Sequence, residues 1–484
     1  MFDLNAMRSR TIDELAAERW DVLVVGGGIL GAGAARDAAL RGLRVALVEQ
    51  ADFASGTSSR TSRLLHGGIR YLAQGRLGLV YEASHEKRIL HRIAPHLAEP
   101  LPFVFPTYRG SGWPRWQMRI GVKLYDALCG GRNLGPSTSM TADDVVRRLP
   151  APDKKGLTGA IRYYDGLTND ARLVVDTLRS AAAAGATVVN YVRLDEAGPS
   201  RAGWVCRLND VLGERGVDAV AQTVVHAAGP WAERLPQSSI KLRLTKGVHV
   251  VIEHARLPVA DAVVMTEGSR ILFAIPWRDR VILGTTDTDY DGPLDDVRTE
   301  MADIDYILET VNHRFPAAAI DRADIISAWA GVRPLVASNR GGPSDISRAH
   351  VIRMSQPGWF DVAGGKLTTY RHIGQQVIDR VFRHLGRPSP PCRTADLPLV
   401  EAAAVRAVSG IAPPEVSEEA VRHYCTEEWS VHVDDVMVRR TGWHYYHRDA
   451  SEIALRVAGW MGDLLGWDAA RRDAELARYR QLTS

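Results

Sequence analysis

Cysteine is scarce in this chain: four in 484 residues, Cys129, Cys206, Cys392 and Cys425, with no C-x-x-C pair. Such scatter excludes a disulfide framework and a cysteine-based metal site, and it fits a reducing compartment. Long apolar runs are missing too. No stretch reaches the roughly 18 uninterrupted apolar residues of a spanning helix. The longest candidate, around residues 22–35, is glycine-rich and ends at Arg36 and Asp37. The first twenty residues, MFDLNAMRSRTIDELAAERW, lack the apolar core of a signal peptide. A soluble or peripheral protein is therefore expected. No excess of one charge appears: 60 Lys and Arg face 57 Asp and Glu, a net +3. That is too little to imply nucleic-acid binding. Internal repeats and low-complexity tracts are absent. What remains is an ordinary globular composition, 45% hydrophobic and 24% charged. The length exceeds what one core holds, so two or three domains are expected.

The chain is organised around DVLVVGGGILGAGAARDAALRGLRVALVE, residues 21–49. Val22 to Val25 reads as a buried strand. Gly26, Gly28 and Gly31 follow in G-x-G-x-x-G spacing. A helix is expected to about Arg41, ended by Gly42, and a second strand over Val45 to Val48. Glu49 closes the unit. This is a βαβ dinucleotide fingerprint in its required context. Gly26 permits the tight turn, Gly28 lets backbone approach a pyrophosphate, and Gly31 lets helix pack on strand. The helix N-terminus then faces an anion. Glu49 stands where it would accept hydrogen bonds from an adenosine ribose.

Residues 51–72, ADFASGTSSRTSRLLHGGIRYL, are rich in small and hydroxyl residues, suited to run along a ligand. A helix is expected over Gly75 to Pro95. The segment WPRWQMRIGVKLYDALCGG mixes Trp113, Trp116, Ile120 and Leu124 with Arg115, Arg119 and Lys123 at helical spacing. It reads either as an interfacial membrane helix or as a core-facing one. Residues 161–193 read as strand, loop, helix over 171–184, and strand over 186–192. Residues 203–228 read as a hairpin and a strand ending at a Gly-Pro turn. Alternation over 240–290 predicts an antiparallel sheet. Residues 300–315 read as a helix, and 359–382 as strand, Gly-Gly turn and helix. Beyond the Pro-rich 387–392 the chain is expected to be helical.

These segments together resemble the FAD-dependent (aerobic, respiratory) glycerol-3-phosphate dehydrogenases across nearly all of residues 20–445. The carriers are VVGGGILGAGAARDAALRGL, TSSRTSRLLHGGIRYL, NDARLV, AAGPW, KGVHVV, IPW with GTTD, GVRPL, GGKLTTYR and VMVRRT. Two positions depart from the pattern: Leu30, where the family commonly has Asn, and Ala228, where it commonly has Thr. The resemblance implies an α/β fold: a glutathione-reductase-like Rossmann FAD domain, an interleaved antiparallel substrate domain and a helical C-terminal domain. The FAD domain is expected in three parts, 20–108, 161–240 and 326–386. Residues 109–160 would form a substrate and membrane-contact region, 241–325 the antiparallel domain, and 393–484 the helical one. The resemblance further implies FAD, oxidation of sn-glycerol 3-phosphate to dihydroxyacetone phosphate, and a membrane quinone as electron acceptor. It places the protein in the cytoplasm, on the membrane periphery, and allows a homodimer.

Removing a hydride and a proton from a secondary alcohol while holding a phosphate calls for arginine and for a base near neutral pKa. Arg333, in GVRPL, is the expected phosphate grip, against a structural ion pair. Arg70 and Tyr71 follow His66, Gly67 and Gly68, a loop able to approach the flavin. Arg60 and Arg63 nearby read as solvated or paired. His249 is a base or substrate ligand, or else a satisfied core residue. Lys366 would neutralise flavin or substrate charge, or cap a helix. Asp287 is as readily a turn residue as a functional one. The expected cofactor contacts are Gly26, Gly28, Gly31, Glu49, Thr57, Ser58, Ser59, His66, Gly67, Gly68, Gly229, Gly365, Lys366, Leu367 and Thr368. His444 and His447 lack companion ligands, so no metal is expected. Competing readings are an FAD oxidase of the D-amino-acid or sarcosine type and a flavin-binding protein without catalysis.

Overall fold

The structure, a computed structural model, describes residues 4–68, 75–110, 114–128, 133–267, 270–337 and 350–483. The fingerprint builds the first layer. Strand Arg19–Val25 is flanked in parallel by Val45–Val48 and Arg215–His226, and the sheet extends to Thr187–Val189 on one side and Trp359–Gly364 on the other. Strand His350–Gln356 closes that edge antiparallel. Strand Gly203–Asp210 pairs antiparallel with both Val192–Ser200 and Arg215–His226. Val22, Leu23 and Val24 are fully buried, as a central parallel strand covered on both faces requires. Helices Ile29–Leu40, Asp170–Ala183 and Tyr370–Leu385 pack over it. Two of them cross at glycine: a Cβ on Gly374 would lie 2.7 Å from the Gly33 carbonyl carbon.

The second sheet carries the other wall of the site. Its strands run in the order Thr288–Asp289, Leu242–Glu253, Arg280–Gly284, Arg270–Trp277, Ala262–Glu267, Ala98–Tyr108, Leu157–Thr168 and Leu64–Leu65. Ile325–Val336 pairs antiparallel with Leu242–Glu253. Here the expected domain limits and the strand pairing part company. Strands 98–108, 157–168 and 325–336 lie or end inside stretches assigned to the FAD domain, yet all three hydrogen-bond in the second sheet. Alternation along one strand fixes which face it buries, not which partner it finds. The strand expected over 186–192 is split at Tyr191, which adopts φ 55°.

Beyond the prolines, helices Ala402–Val405, Glu418–Glu427, Trp443–Tyr446, Ala450–Leu465 and Ala469–Thr483 enclose a core of their own around Tyr424, Trp443, Val457 and Met461. A wide i→i+5 turn, Asp435–Arg440, joins that core to the first sheet's side of the molecule. No helix among the described residues is long and apolar enough to cross a membrane.

Candidate functional site

One cavity of about 1470 Å³ runs between the two sheets, from the fingerprint turn to strands Leu242–Glu253 and Ile325–Val336. At its first end, Gly26 turns at φ 113°, where a Cβ would come within 2.5 Å of the Ala227 carbonyl oxygen. Helix Ile29–Leu40 starts at Gly28 with no side-chain cap on Gly28 and no acidic residue in its first turn. Its Ile29 N–H donates to Ser58 Oγ at 3.1 Å. The positive end of this helix thus faces the cavity with no carboxylate in its first turn. Glu49 accepts from the Gly27 N–H at 2.7 Å and from the Ala51 N–H at 3.0 Å. Burial pushes its carboxyl pKa up.

The wall between the two ends is the loop from Gly56 to Gly68. Thr57 Oγ1 donates to the Val332 carbonyl at 2.6 Å, tying this loop to strand Ile325–Val336. The His66 N–H donates to Thr368 Oγ1 at 3.1 Å, which ties it to the second glycine turn. In that turn Gly364 and Gly365 take φ 73° and 83°, and Lys366 and Leu367 follow on the cavity wall.

At the far end, Arg333 and His249 sit on adjacent antiparallel strands. Arg333 Nη2 donates to Thr285 Oγ1 at 2.8 Å, and Nη1 pairs with Asp287 Oδ1 at 3.1 Å. The guanidinium lies over Gly247, where a Cβ would meet Nη2 at 2.2 Å and push the guanidinium from this position. His249 stacks on Trp329, ring centroids 5.1 Å apart, and its Nε2 lies 2.8 Å from Ser62 Oγ. Its Nδ1 has no hydrogen-bond partner among the described residues. Burial, then Arg333 and Arg63, hold its pKa well below the ordinary imidazole value. The ring is therefore neutral at neutral pH and able to accept a proton.

The cavity wall brings together Gly26, Gly28, Glu49, Thr57, Ser58, His66, Gly68, Gly229, His249, Arg333, Gly365, Lys366, Leu367 and Thr368. Three expected contacts stand behind it. Gly31 packs helix on strand, a Cβ there falling 1.9 Å from the Gly26 carbonyl oxygen. Ser59 is buried. Gly67 donates its N–H to Tyr125 Oη and Asp165 Oδ1, in a buried cluster with Lys87, whose Nζ is 2.8 Å from Asp165. Arg70 and Tyr71 lie outside the described residues. Arg60, expected to be solvated or paired, is half-buried: it lines the cavity and donates to the Ala330 carbonyl at 3.2 Å, and burial lowers its pKa. Arg63 is buried under the Trp277 ring at 4.3 Å and beside Asp170 at 3.8 Å. Ser62 and Thr285 were not singled out from sequence; the hydroxyl run TSSRTS and the GTTD turn held the only signal. Among the described residues no group of three or more His, Cys, Asp or Glu could hold a metal ion. His444 instead meets Tyr479 Oη at 2.8 Å.

An apolar arm leaves the cavity beside helix Arg115–Leu128, lined by Phe103, Phe105, Trp116, Ile120, Leu124 and Phe273. That helix buries Met118, Val122 and Tyr125 and leaves Trp116 63%, Ile120 61% and Leu124 41% exposed. It is both a core-facing helix and one with an uncovered apolar stripe. Trp113 lies outside the described residues.

Comparison with known proteins adds the following. A family model described as FAD dependent oxidoreductase matches residues 21–372. One described as the C-terminal domain of alpha-glycerophosphate oxidase matches residues 393–472. The aerobic glycerol-3-phosphate dehydrogenase of Staphylococcus aureus strain MRSA252 is 37% identical over 396 residues, 79% of this chain and 71% of its own. The solved glycerol-3-phosphate dehydrogenase of Bacillus halodurans, complexed with FAD, aligns over 100% of this chain and 98% of its own, with a TM-score of 0.79 and 27% identity. The glycine oxidase of Geobacillus kaustophilus, at 21% identity and a TM-score of 0.59 over 80% of this chain and 99% of its own, shares the fold.

Proposed function

We propose that this chain, which belongs to the family of FAD-dependent aerobic glycerol-3-phosphate dehydrogenases, oxidises sn-glycerol 3-phosphate to dihydroxyacetone phosphate and passes the electrons to a membrane quinone. FAD is its cofactor, and the residues fit it: a glycine cradle and helix N-terminus for the pyrophosphate, Glu49 for the ribose, and the 364–368 turn for the ring. When bound, FAD would supply the two-electron sink, its N5 being the expected acceptor of the C2 hydride.

The protein's own residues supply the rest. Arg333 offers the phosphate a guanidinium already aimed by Thr285 and Asp287. Lys366 adds a second positive charge to the lining of the same cavity. His249 takes the C2 hydroxyl proton. Its pKa is held down partly by Arg333. A phosphate dianion on Arg333 offsets that positive charge, so substrate binding itself raises the basicity of the ring. The apolar arm beside Trp116, Ile120 and Leu124 suits a quinone arriving from a bilayer, with the exposed stripe resting on the cytoplasmic membrane surface.

The observation that carries this reading is that Arg333 and the neutral His249 line the same cavity as the fingerprint turn. The test is anaerobic. The yellow protein is mixed with glycerol 3-phosphate, glycerol or D-amino acids, and the visible flavin absorbance is followed. Bleaching by glycerol 3-phosphate alone supports the proposal. Bleaching by an amino acid would move the chain to the amine oxidases, and no bleaching to a binding protein. Reoxidation by a soluble quinone analogue much faster than by air supports the acceptor; the reverse would replace quinone with oxygen.

A further inference from the structure

The VMVRRT stretch of the C-terminal domain is not used by the chemistry above, yet it reaches the adenosine end of the site. The loop after Glu49 is held from two sides. On the cavity side, the Ala54 N–H donates to the Gly27 carbonyl at 3.0 Å, and the Phe53 ring fills the space a Cβ on Gly27 would need. Glu49 accepts from the Gly27 N–H of the fingerprint turn and from the Ala51 N–H of this loop. On the far side, Asp52 is fully buried and accepts a two-pronged pair from Arg440, Nη1 to Oδ2 at 2.7 Å and Nη2 to Oδ1 at 2.8 Å. Arg439 Nε donates to the same carboxylate at 2.5 Å. Asn190 donates to Asp52 at 3.1 Å and to the Trp429 carbonyl at 2.8 Å. Trp429 meets Phe53 edge to face at 5.4 Å.

Both arginines belong to the i→i+5 turn Asp435–Arg440 and are anchored in their own domain. Arg439 Nη2 reaches Asp434 at 2.5 Å and Asp435 at 2.6 Å, and Arg440 donates to the Glu428 carbonyl. Such wide turns recur where a helix is shaped for a task. A bidentate guanidinium fixes its carboxylate in direction as well as distance. Asp52 is three residues from Glu49, so the position of the C-terminal domain sets the position of the ribose acceptor.

We propose that the C-terminal domain clamps the adenosine half of the FAD site through Asp52, with Arg440 and Arg439 as positioning residues. The proposal rests on the FAD reading. Its chemistry is that of an adenosine diphosphate moiety, so ADP alone should feel the clamp. Two full-length variants test it, Asp52→Asn and Arg440→Met, each stripped of flavin. FAD affinity is read from flavin fluorescence on titration, and ADP affinity from its competition with FAD. Both dissociation constants are expected to rise about tenfold, a usual size for coupled sites, and by the same factor. An unchanged FAD constant in a variant with wild-type circular dichroism overturns the clamp, and so does a weakened FAD constant with ADP unmoved. Hydrogen exchange on the wild type covers variants that fail to fold. By reciprocity, adding FAD should slow exchange over residues 428–441 as well as 49–56. Protection confined to 49–56 overturns the proposal. Wild-type protein that takes up neither FAD nor ADP overturns the FAD reading and the clamp with it.

Discussion

At His249, burial, Arg333 and Arg63 all act against the imidazolium. The free-enzyme profile of kcat/KM should therefore keep its acid limb well below pH 6.5, about the value of an unperturbed imidazole. His249→Asn should lower kcat by roughly 10²-fold or more and remove that limb. An acid limb near the unperturbed value, or near-normal turnover in the variant, would take the proton from His249 and give it to another group. Arg333→Ala should lower kcat/KM for glycerol 3-phosphate by roughly 10²-fold, the effect of a charge-assisted contact of ~3 kcal/mol. Unchanged kinetics would remove Arg333 from the phosphate. Arg333 stood out in the sequence because Gly331 and Pro334 flank it; His249, a lone histidine between valines, was marked only by the family resemblance of KGVHVV. Arg60 and Ser62 could not. A loop rich in small polar residues has no period, so nothing in the letters says which side chains turn inward.

Elements were legible where one period ran long enough. The fingerprint unit, the helix after Asn169 and the helix Arg115–Leu128 all appear near their expected limits. Strand partnership was not legible, because the pairing of 98–108 with 157–168 is a long-range contact that neither strand encodes alone. The helix Arg115–Leu128 shows a further gap. Sequence offered two readings, and the structure has one buried side and one bare one. Replacing Trp116, Ile120 and Leu124 by Ser tests the bare side. Their exposure means the thermal midpoint should barely move, since surface substitutions stay within about ±0.5 kcal/mol each. Sedimentation with anionic vesicles should fall sharply. Wild-type protein that never sediments with vesicles would end the membrane assignment. The Gly33–Gly374 crossing gives the opposite kind of test. Gly374→Val forces a side chain into backbone, so the helices must separate, at a cost of about 1–3 kcal/mol or more. A thermal midpoint equal to wild type would mean the crossing is looser than the geometry requires.

In the molecule as a whole two sets of perturbed groups weaken the fold as pH falls, in different pH windows, while the buried carboxyls of Glu49, Asp37 and Asp435, whose pKa is raised, act the other way. Burial alone would raise the pKa of Asp52, Glu428, Asp434 and Asp176, but Arg440, Arg172 and Arg439 overcome it and hold these carboxyls low. Their contribution is complete above the unfolded value of about 4 and is lost only as pH falls through the folded values. The histidines act earlier. Burial pushes His444 down to about 4, and it lowers His91 and His249 as well. Below about pH 6.5 the unfolded chain takes up protons at these rings that the folded chain refuses, so stability falls with pH while the carboxylates are still intact. His444 contributes a slope of about 1.4 kcal/mol per pH unit between about pH 6.5 and its folded value of about 4. Urea unfolding of the FAD-loaded protein should therefore show a midpoint that declines steadily from pH 7 to pH 4.5. His444→Gln keeps a partner for Tyr479 and cannot protonate, so its decline over the same range should be shallower by one proton's worth. Parallel lines for variant and wild type would show that His444 titrates in the folded protein as it does in the open chain, and that its buried contact with Tyr479 is not maintained in solution.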